Sequence, residues 1–331
     1  MRFLIAGLGS VGRRHLRNLV ALGERDIVLY RTGKSTLPDD DLEGFPVERD
    51  LAAALDRTPD AVIVANPTAL HLDVAIPAAE AGCHLLIEKP VSHSMDRVAE
   101  LEQAVARGGG QVLVGYQYRF HPGLRQLKAW IDSGEIGSIV SAFAEYGDYL
   151  PAWHPWEDHS RSYSARVDLG GGAVLTLSHA VDIQTWVLGP ARLIAARSQV
   201  VPEIAPETES AAILMLEFGG GTPGVVRMDY LRNPKVHRFD VVGARGSVGW
   251  DEGTGAAFLR STSPAREVVE SPPPGFDRND LFIAELEHFI RLVRGQAEPV
   301  CSLQDGLRTL EILDRARGWG APPSGPSEMV S

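Results

Sequence analysis

The sequence predicts an α/β protein in two parts. A doubly wound parallel sheet comes first, followed by an α+β domain with a large, mostly antiparallel open-faced sheet. Two observations carry this. Over about the first 115 residues, short apolar runs rich in Val, Ile and Leu alternate with helix-like stretches. That alternation builds right-handed βαβ units and a sheet buried on both faces. Beyond Ile139, apolar and polar residues alternate at period two, the signature of antiparallel strands with one covered and one open face. A chain of 331 residues suits two domains of ~100–200 residues each. The expected division is residues 1–120, residues 121–320 and a flexible tail over 321–331.

The first strands are expected at Phe3–Ala6, Ile27–Tyr30, Ala61–Ala65, His84–Ile87 and Val112–Val114. The intervening helices are Gly12–Leu22, Asp50–Leu55, Leu70–Ala81 and Met95–Ala106. A helix over Leu124–Ser133 leads into strands at Ile139–Tyr146, Leu193–Val201, Ala211–Phe218, Val225–Leu231 and Arg238–Val242. One continuous helical insert, Gly172–Leu188, interrupts them. Two helices, Asp280–Arg294 and Leu303–Arg317, close the chain. A sheet with an open apolar face needs a partner, so a homodimer or homotetramer is expected.

Composition narrows the function. A formal net charge of −11 argues against broad attraction to nucleic acid or an anionic membrane. Two cysteines, Cys83 and Cys301, make no disulfide framework, and a reduced compartment fits. The N-terminus lacks the pattern of a signal peptide, and no apolar run approaches the ~20 residues of a membrane helix. A cytoplasmic protein is expected. No histidine, cysteine or carboxylate run has metal-ligand spacing, so no metal is expected.

Directly after the first strand, Gly7-Leu8-Gly9-Ser10-Val11-Gly12 reads G-x-G-x-x-G. The first glycine permits the turn, the second lets backbone approach a pyrophosphate, and the third lets the helix pack closely. Three glycines alone are weak evidence; between a strand and a helix of a βαβ unit they signal dinucleotide binding. The backbone of Gly7, Gly9, Ser10, Val11 and Gly12 is the expected cradle. At the end of the second strand, NAD enzymes usually carry an acid for the ribose 2′-hydroxyl. Here Tyr30 is followed by Arg31, Thr32, Gly33, Lys34 and Ser35. Cations and hydroxyls suit a 2′-phosphate, which favours NADP(H) over NAD(H). Asn66-Pro67-Thr68 with His71 ends the third strand, where the nicotinamide ribose would lie. Glu88-Lys89-Pro90 closes the fourth, at the carboxyl edge where such sheets bind ligands.

These motifs occur in order with Gly115-Tyr116-Gln117-Tyr118-Arg119-Phe120-His121-Pro122 and Gly170-Gly171-Gly172…His179-x-x-Asp182. Together the set resembles the glucose–fructose oxidoreductase, inositol dehydrogenase and MocA (Gfo/Idh/MocA) family over nearly the whole chain. The resemblance implies an N-terminal Rossmann domain and redox chemistry on sugars, sugar nucleotides or inositols. It implies that Lys89 contacts substrate and nicotinamide and that His179 is the acid/base. Many members carry an Asp one helical turn before that histidine. Here Leu175-Thr176-Leu177-Ser178 offers none, so Asp182 or Asp168 would orient His179, or Thr176 would substitute weakly.

Physical chemistry supports the roles. Oxidising a secondary alcohol needs a base for the hydroxyl proton, which a near-neutral histidine supplies, and a cation to polarise the oxygen. Thr176, His179 and Asp182 follow at i+3 on the expected helix. Lys89, His179 and Asp182 are the catalytic candidates, with Glu88 beside the cofactor. The stretch Trp153–His159 with Arg161 and Tyr163 reads as a substrate wall, rings facing sugar faces and polar heads bonding hydroxyls. Its members Trp153, His154 and Tyr163 join Arg119, Thr176, His179 and Lys89 as substrate-binding candidates; His15, His84 and His237 have no telling spacing. Alternatives remain: a dihydrodiol-dehydrogenase- or biliverdin-reductase-like activity on a non-sugar substrate, or a cofactor-binding regulatory protein without turnover.

Overall fold

The computed structural model describes residues 1–33, 37, 42–153 and 158–319. Lys34, His154 and the expected tail at 321–331 lie outside the described residues.

The N-terminal half forms a six-stranded sheet from β1 (Phe3–Ala6), β2 (Ile27–Tyr30), β3 (Val47–Glu48), β4 (Ala61–Val64), β5 (His84–Glu88) and β6 (Val112–Gly115). The order is β3-β2-β1-β4-β5-β6, and every pairing is parallel. This is the doubly wound arrangement, with its reversal of direction between β1 and β4. Helices α1 (Ser10–Ala21), α2 (Leu51–Leu55), α3 (His71–Glu80) and α4 (Val98–Gly108) connect the strands. All four residues of β1 and of β4 are buried, which is why those strands read as unbroken apolar runs. The two-residue β3 escaped the sequence reading because it has no apolar pattern. The lysine-bearing strand is therefore the fifth in the chain.

After α5 (Pro122–Asp132), capped by the His121 side chain at Gly123 N (3.0 Å), an eight-stranded sheet follows. Its strands are β7 (Ile139–Gly147), β8 (Ala191–Gln199), β9 (Ala211–Phe218), β10 (Pro223–Asp229), β11 (Val236–Gly243), β12 (Gly246–Asp251), β13 (Ala257–Thr262) and β14 (Ala265–Glu270). The order is β14-β13-β12-β11-β7-β10-β9-β8, antiparallel except where β10 meets β7. The last three strands were not expected; glycines and polar residues in β12 and β14 break their alternation. The expected single insert helix is two pieces, α6 (Ala173–Thr176) and α7 (His179–Leu188), separated at Leu177 and Ser178.

The chain then returns. In α8 (Arg278–Val293) and α9 (Leu303–Arg317), both opened by capping boxes, Leu286, Phe289, Leu307 and Leu310 join the core of the first sheet. Ile312 and Leu313 of α9 join the core of the second. Assigning everything from 121 to 320 to the second domain is thus too simple, because these helices bury apolar faces in both.

Among the described residues nothing covers one face of the large sheet. Met215, Val225 and Phe143 lie in register across β9, β10 and β7, beside Ile213 and Val242; Ile213 and Met215 are about half exposed, at 53% and 47%. On the same face the Glu145 carboxylate is enclosed by Arg232 (2.8 Å), Arg238 (2.7 Å) and Arg227 (3.3 Å).

Candidate active site

The glycine loop sits at the reversal point of the first sheet. Gly7 has φ +95°, and an added Cβ would lie 2.4 Å from Asn66 N; at Gly12 it would lie 1.9 Å from Gly7 O. Both glycines are dictated by close packing. At Gly9 nothing lies within 4 Å of that position, so the backbone there faces open space beside Ser10 and Val11 at the start of α1. A dinucleotide pyrophosphate fits this cradle. Arg13 braces the loop from beneath, its Nε donating to Leu8 O at 2.9 Å.

At the end of β2 the structure places Arg31 and Thr32 directly after Tyr30. Glu48 lies beside Tyr30 in register, but its carboxylate is taken by Arg57 at 2.6 Å. A further cation missed in the sequence, Arg49, approaches Gly33; a Cβ on that glycine would sit 3.0 Å from its Nη1.

The Asn66–His71 segment braces more than it presents. His71 is buried, and its two ring nitrogens lie 3.0 Å from Pro90 O and 3.0 Å from Asn66 O. Burial holds its pKa below the ordinary value. The imidazole is wedged between the Asn66-Pro67 and Lys89-Pro90 turns, a neutral ring donating to one of the two carbonyls, so both nitrogens face protein oxygens. Asn66 Nδ2 donates to Leu70 O (2.8 Å), Thr68 is buried, and Asn66 Oδ1 is enclosed without a partner.

Glu88 likewise turns inward, to His15 Nε2 at 2.7 Å. Burial opposes its charge, the His15 contact outweighs that, and the carboxyl stays below its usual range. Glu285 of α8 completes a buried cluster with ligand-type atoms within 4.8 Å of one another; burial, then the charge of Glu88, pushes its carboxyl well up. Among the described residues the one hydrogen bond within this cluster is the His15–Glu88 contact, which fixes the carboxylate that precedes Lys89, and His15 gains a role that its spacing did not suggest.

Lys89 points across the cleft. Its Nζ donates to Thr176 O at 2.6 Å. That carbonyl is available because α6 ends there, leaving its last carbonyls outside the helical ladder. Burial draws the ammonium pKa down to about 8, with Glu88 opposing the shift. Thr176 is buried and its Oγ1 has no partner, so it engages Lys89 through backbone and not through its side chain. Three residues on, His179 opens α7. Burial first, then the charge of Lys89, holds its pKa well below the usual value, in keeping with its place at the positive end of a helix. The ring packs edge-on against Tyr118 (4.8 Å) and Tyr116 (5.5 Å), and Nδ1 has no hydrogen-bond partner.

The expected orienting carboxylates do not reach it. The break after Thr176 ends the proposed i+3 series on one helix. Asp182 gives both oxygens to Arg119, at 2.7 Å and 3.1 Å, and Asp168 is exposed and paired with Arg166. Arg119 is in turn used up: beyond Asp182 it donates to Val300 O at 2.9 Å and lies 3.6 Å from Asp305. It is 3% exposed, so it holds β6, α7 and α9 together instead of meeting substrate. Trp153 packs on Tyr230 with its ring N–H enclosed and unpartnered, and Tyr163 is 39% exposed.

The structure adds residues that the sequence did not single out. His237 stacks on Tyr146 (4.2 Å) and meets Tyr118 edge-on (4.6 Å). The Tyr118 hydroxyl donates to Glu252, which also binds Lys235 at 2.8 Å, and Lys235 Nζ lies 5.2 Å from the Tyr146 ring centre. These residues come from β7, β11 and the ends of neighbouring strands, and only the sheet brings them beside His179.

A separate cleft of about 650 Å³ is ringed by Met1, Asp60, Cys83 and His84. It lies at the amino edge of the first sheet, opposite the edge where such folds bind ligands.

Comparison with known proteins agrees with this geometry. Residues 1–116 match the oxidoreductase family with an NAD-binding Rossmann fold, and residues 124–249 match the Gfo/Idh/MocA C-terminal domain. The chain is 25% identical over 325 residues to a D-xylose 1-dehydrogenase (NADP(+)) of Haloferax volcanii, covering 95% of each chain. It is 25% identical over 335 residues to a scyllo-inositol 2-dehydrogenase (NAD(+)) of Bacillus subtilis, covering 94% of this chain and 92% of the other. A levoglucosan dehydrogenase structure in complex with NADH and levoglucosan shares the fold, with a TM-score of 0.84 at 19% identity and 96% of both chains covered. Among the described residues no helix is long and apolar enough to cross a membrane. The chain belongs to the Gfo/Idh/MocA oxidoreductase family, as an NAD(P)-dependent enzyme acting on CH–OH groups.

Proposed function

We propose that this enzyme moves a hydride between nicotinamide and a secondary alcohol or ketone of a sugar, sugar nucleotide or inositol. The observation that carries the reading is the Lys89–Thr176 contact at 2.6 Å, which draws the β5 turn to the end of α6, three residues before His179. Lys89 and His179 thereby line one cleft beside the glycine cradle. When bound, the dinucleotide supplies the hydride acceptor or donor. The Lys89 ammonium polarises the reacting oxygen, and His179, neutral at ordinary pH, takes or returns the hydroxyl proton. The tyrosine walls keep water from the base. The relatives named for xylose and inositol support a polyol substrate. The decisive experiment is a screen of sugars, inositols and nucleotide sugars followed by nicotinamide absorbance, and no turnover with any of them would refute the reading.

The cofactor side favours NADP(H). Among the described residues no free carboxylate ends β2, while Arg31, Thr32 and Arg49 stand there. A charge-assisted bond to the 2′-phosphate contributes ~1.5–3 kcal/mol, or roughly tenfold or more in affinity. Fluorescence titration should show NADP(H) binding at least that much tighter than NAD(H), and Arg31→Ala should narrow the gap. Equal affinities would refute the preference.

The bare sheet face supports a dimer or tetramer, since apolar side chains in register leave water only against a second surface. Light scattering at micromolar concentration should give twice or four times the 35.8 kDa chain mass. In the same measurement, Met215→Glu with Ile213→Lys should yield monomer. A monomeric parent protein would refute the assembly.

A further inference from the structure

We propose that Glu209 is a positioning residue for Lys89: its carboxylate fixes the first turn of α6 and, through that single turn, the carbonyl that holds the Lys89 ammonium. The consequence for turnover rests on the oxidoreductase reading; the placement of the ammonium does not.

The need for such a residue follows from the kind of contact Lys89 makes. Its Nζ donates to the backbone oxygen of Thr176 at 2.6 Å. A side-chain acceptor could rotate to follow an ammonium, whereas a carbonyl goes where its helix goes. α6 is one turn long, Ala173–Thr176, and a helix that short does not hold itself in water. Two bonds of its own close it, Thr176 N–H to Gly172 O and Leu177 N–H to Ala173 O, each 2.9 Å. Its N-cap is Gly172, which has no side chain to accept from the first N–H groups.

Glu209 accepts from them instead. Its backbone oxygen takes Ala173 N–H at 2.9 Å, and its Oε1 takes Val174 N–H at 3.1 Å. A carboxylate at a helix N-terminus is favourable on charge grounds too. It reaches these groups by lying across Gly172, where an added Cβ would fall 2.6 Å from its Cδ and 2.7 Å from Oε2, and where φ is +109°. The third glycine of Gly170-Gly171-Gly172 is thus shaped to Glu209.

Glu209 is itself anchored. The next residue, Ser210, donates to Gln199 O and accepts from Tyr230 N–H, both at 2.8 Å, which ties it into the large sheet beside β9. The Tyr230 hydroxyl donates to Ser164 O (3.2 Å), the same oxygen that accepts from Gly172 N–H (2.8 Å). On the other side Gly170 lies against the cofactor half, where a Cβ would sit 3.0 Å from Ala69 N and 3.0 Å from Thr68 Cβ. The large sheet therefore reaches Lys89 through Glu209, one helical turn and one carbonyl. The charges acting most on Lys89 are those of Glu88 and Arg278, with His179 as a neutral neighbour. Around Glu209 stand Arg317 of α9 and Tyr230.

A lysine titration tests this without any substrate. The chain has four lysines, Lys34, Lys89, Lys128 and Lys235, so protein labelled with ¹³C at lysine Cε gives few NMR signals, and Lys89→Arg identifies the one that matters. In the parent protein it should titrate at about 8. In Glu209→Ala it should titrate about one pH unit lower, because an ammonium that loses its acceptor gives up its proton more readily. Two conservative variants separate reach from charge. Glu209→Gln keeps an oxygen for Val174 N–H and should leave the titration in place. Glu209→Asp keeps the charge, withdraws the oxygen, and should shift the titration as alanine does. An unmoved signal in Glu209→Ala and Glu209→Asp overturns the proposal. So does a Glu209→Gln shift as large as that of alanine, since the effect would then be one of charge alone. Thermal melts confirm folded protein, and the Asp and Gln variants decide the matter if alanine does not fold. The alkaline limb of turnover on the best alcohol from the screen should move with the signal. A signal that moves while the limb stays put would leave the positioning intact and count against the role given to Lys89 in the reaction.

Discussion

Lys89→Met and His179→Ala should each lower turnover by about a hundredfold or more, while NAD(P)H affinity stays within a few-fold. A positioned acid/base group typically contributes ~10²–10⁴-fold. Here the two groups sit where they cannot replace each other: Lys89 is fastened to the end of α6 and His179 opens α7. Their titrations also point the same way. Burial keeps His179 far below its ordinary pKa, so the base is already deprotonated at neutral pH and no acidic limb is expected there. The Lys89 ammonium has a pKa of about 8, so activity that needs its charge should decline as pH rises through that value. Stopped-flow turnover across pH on the best alcohol from the screen checks both. An unchanged rate in His179→Ala would move the acid/base role elsewhere. An alkaline limb that persists in Lys89→Arg would detach it from Lys89. With the helix carboxylate of relatives absent, Asp182→Asn should affect rate less than either, because Asp182 faces Arg119 and not the histidine.

Arg119→Leu should cost about 3–5 kcal/mol of stability, the usual penalty for leaving one member of a buried ion pair alone. Burial works against the charge on both partners, and the bidentate contact outweighs it on Arg119. Because arginine does not surrender its proton, the pair is ionic. Removing the arginine strands Asp182, which is fully buried, and also frees Val300 O. Asp182→Leu should be similarly harmful, and the double replacement less harmful than the sum. Urea melts of the three variants measure this coupling. A stable Arg119→Leu protein with a raised KM would restore the substrate-binding role expected from its motif.

Much of the cofactor half was legible because its signals are local. Gly7, Gly9 and Gly12 fall within six consecutive residues, and Gly7 and Gly12 answer close packing that a side chain would not survive. The β1 and β4 runs and the Leu85–Ile87 centre of β5 are apolar because both faces are covered. Where local signals were absent the reading thinned out. Two residues of β3 carry no pattern, and the strands from Gly246 onward lose alternation to glycine and charge. A helix break at Leu177–Ser178 inside an apolar stretch leaves no sequence mark, since nothing there disfavours helix locally.

By itself, then, the sequence determined the fold class and the glycine cradle, since those rest on residue types held at short, ordered spacings, and it singled out Lys89 and His179 as the candidates that the proposed chemistry uses. Tertiary structure alone decided what the neighbouring polar residues do. Arg119, Asp182, Glu88 and His71 looked like site residues, yet each closes its bonds inside the protein because a buried charge or ring nitrogen must find a partner. Conversely, Lys235, His237 and Glu252 come from neighbouring strands and their ends. They meet beside His179 through sheet register, and a contact between residues a hundred positions apart is set by packing, which no spacing along the chain records.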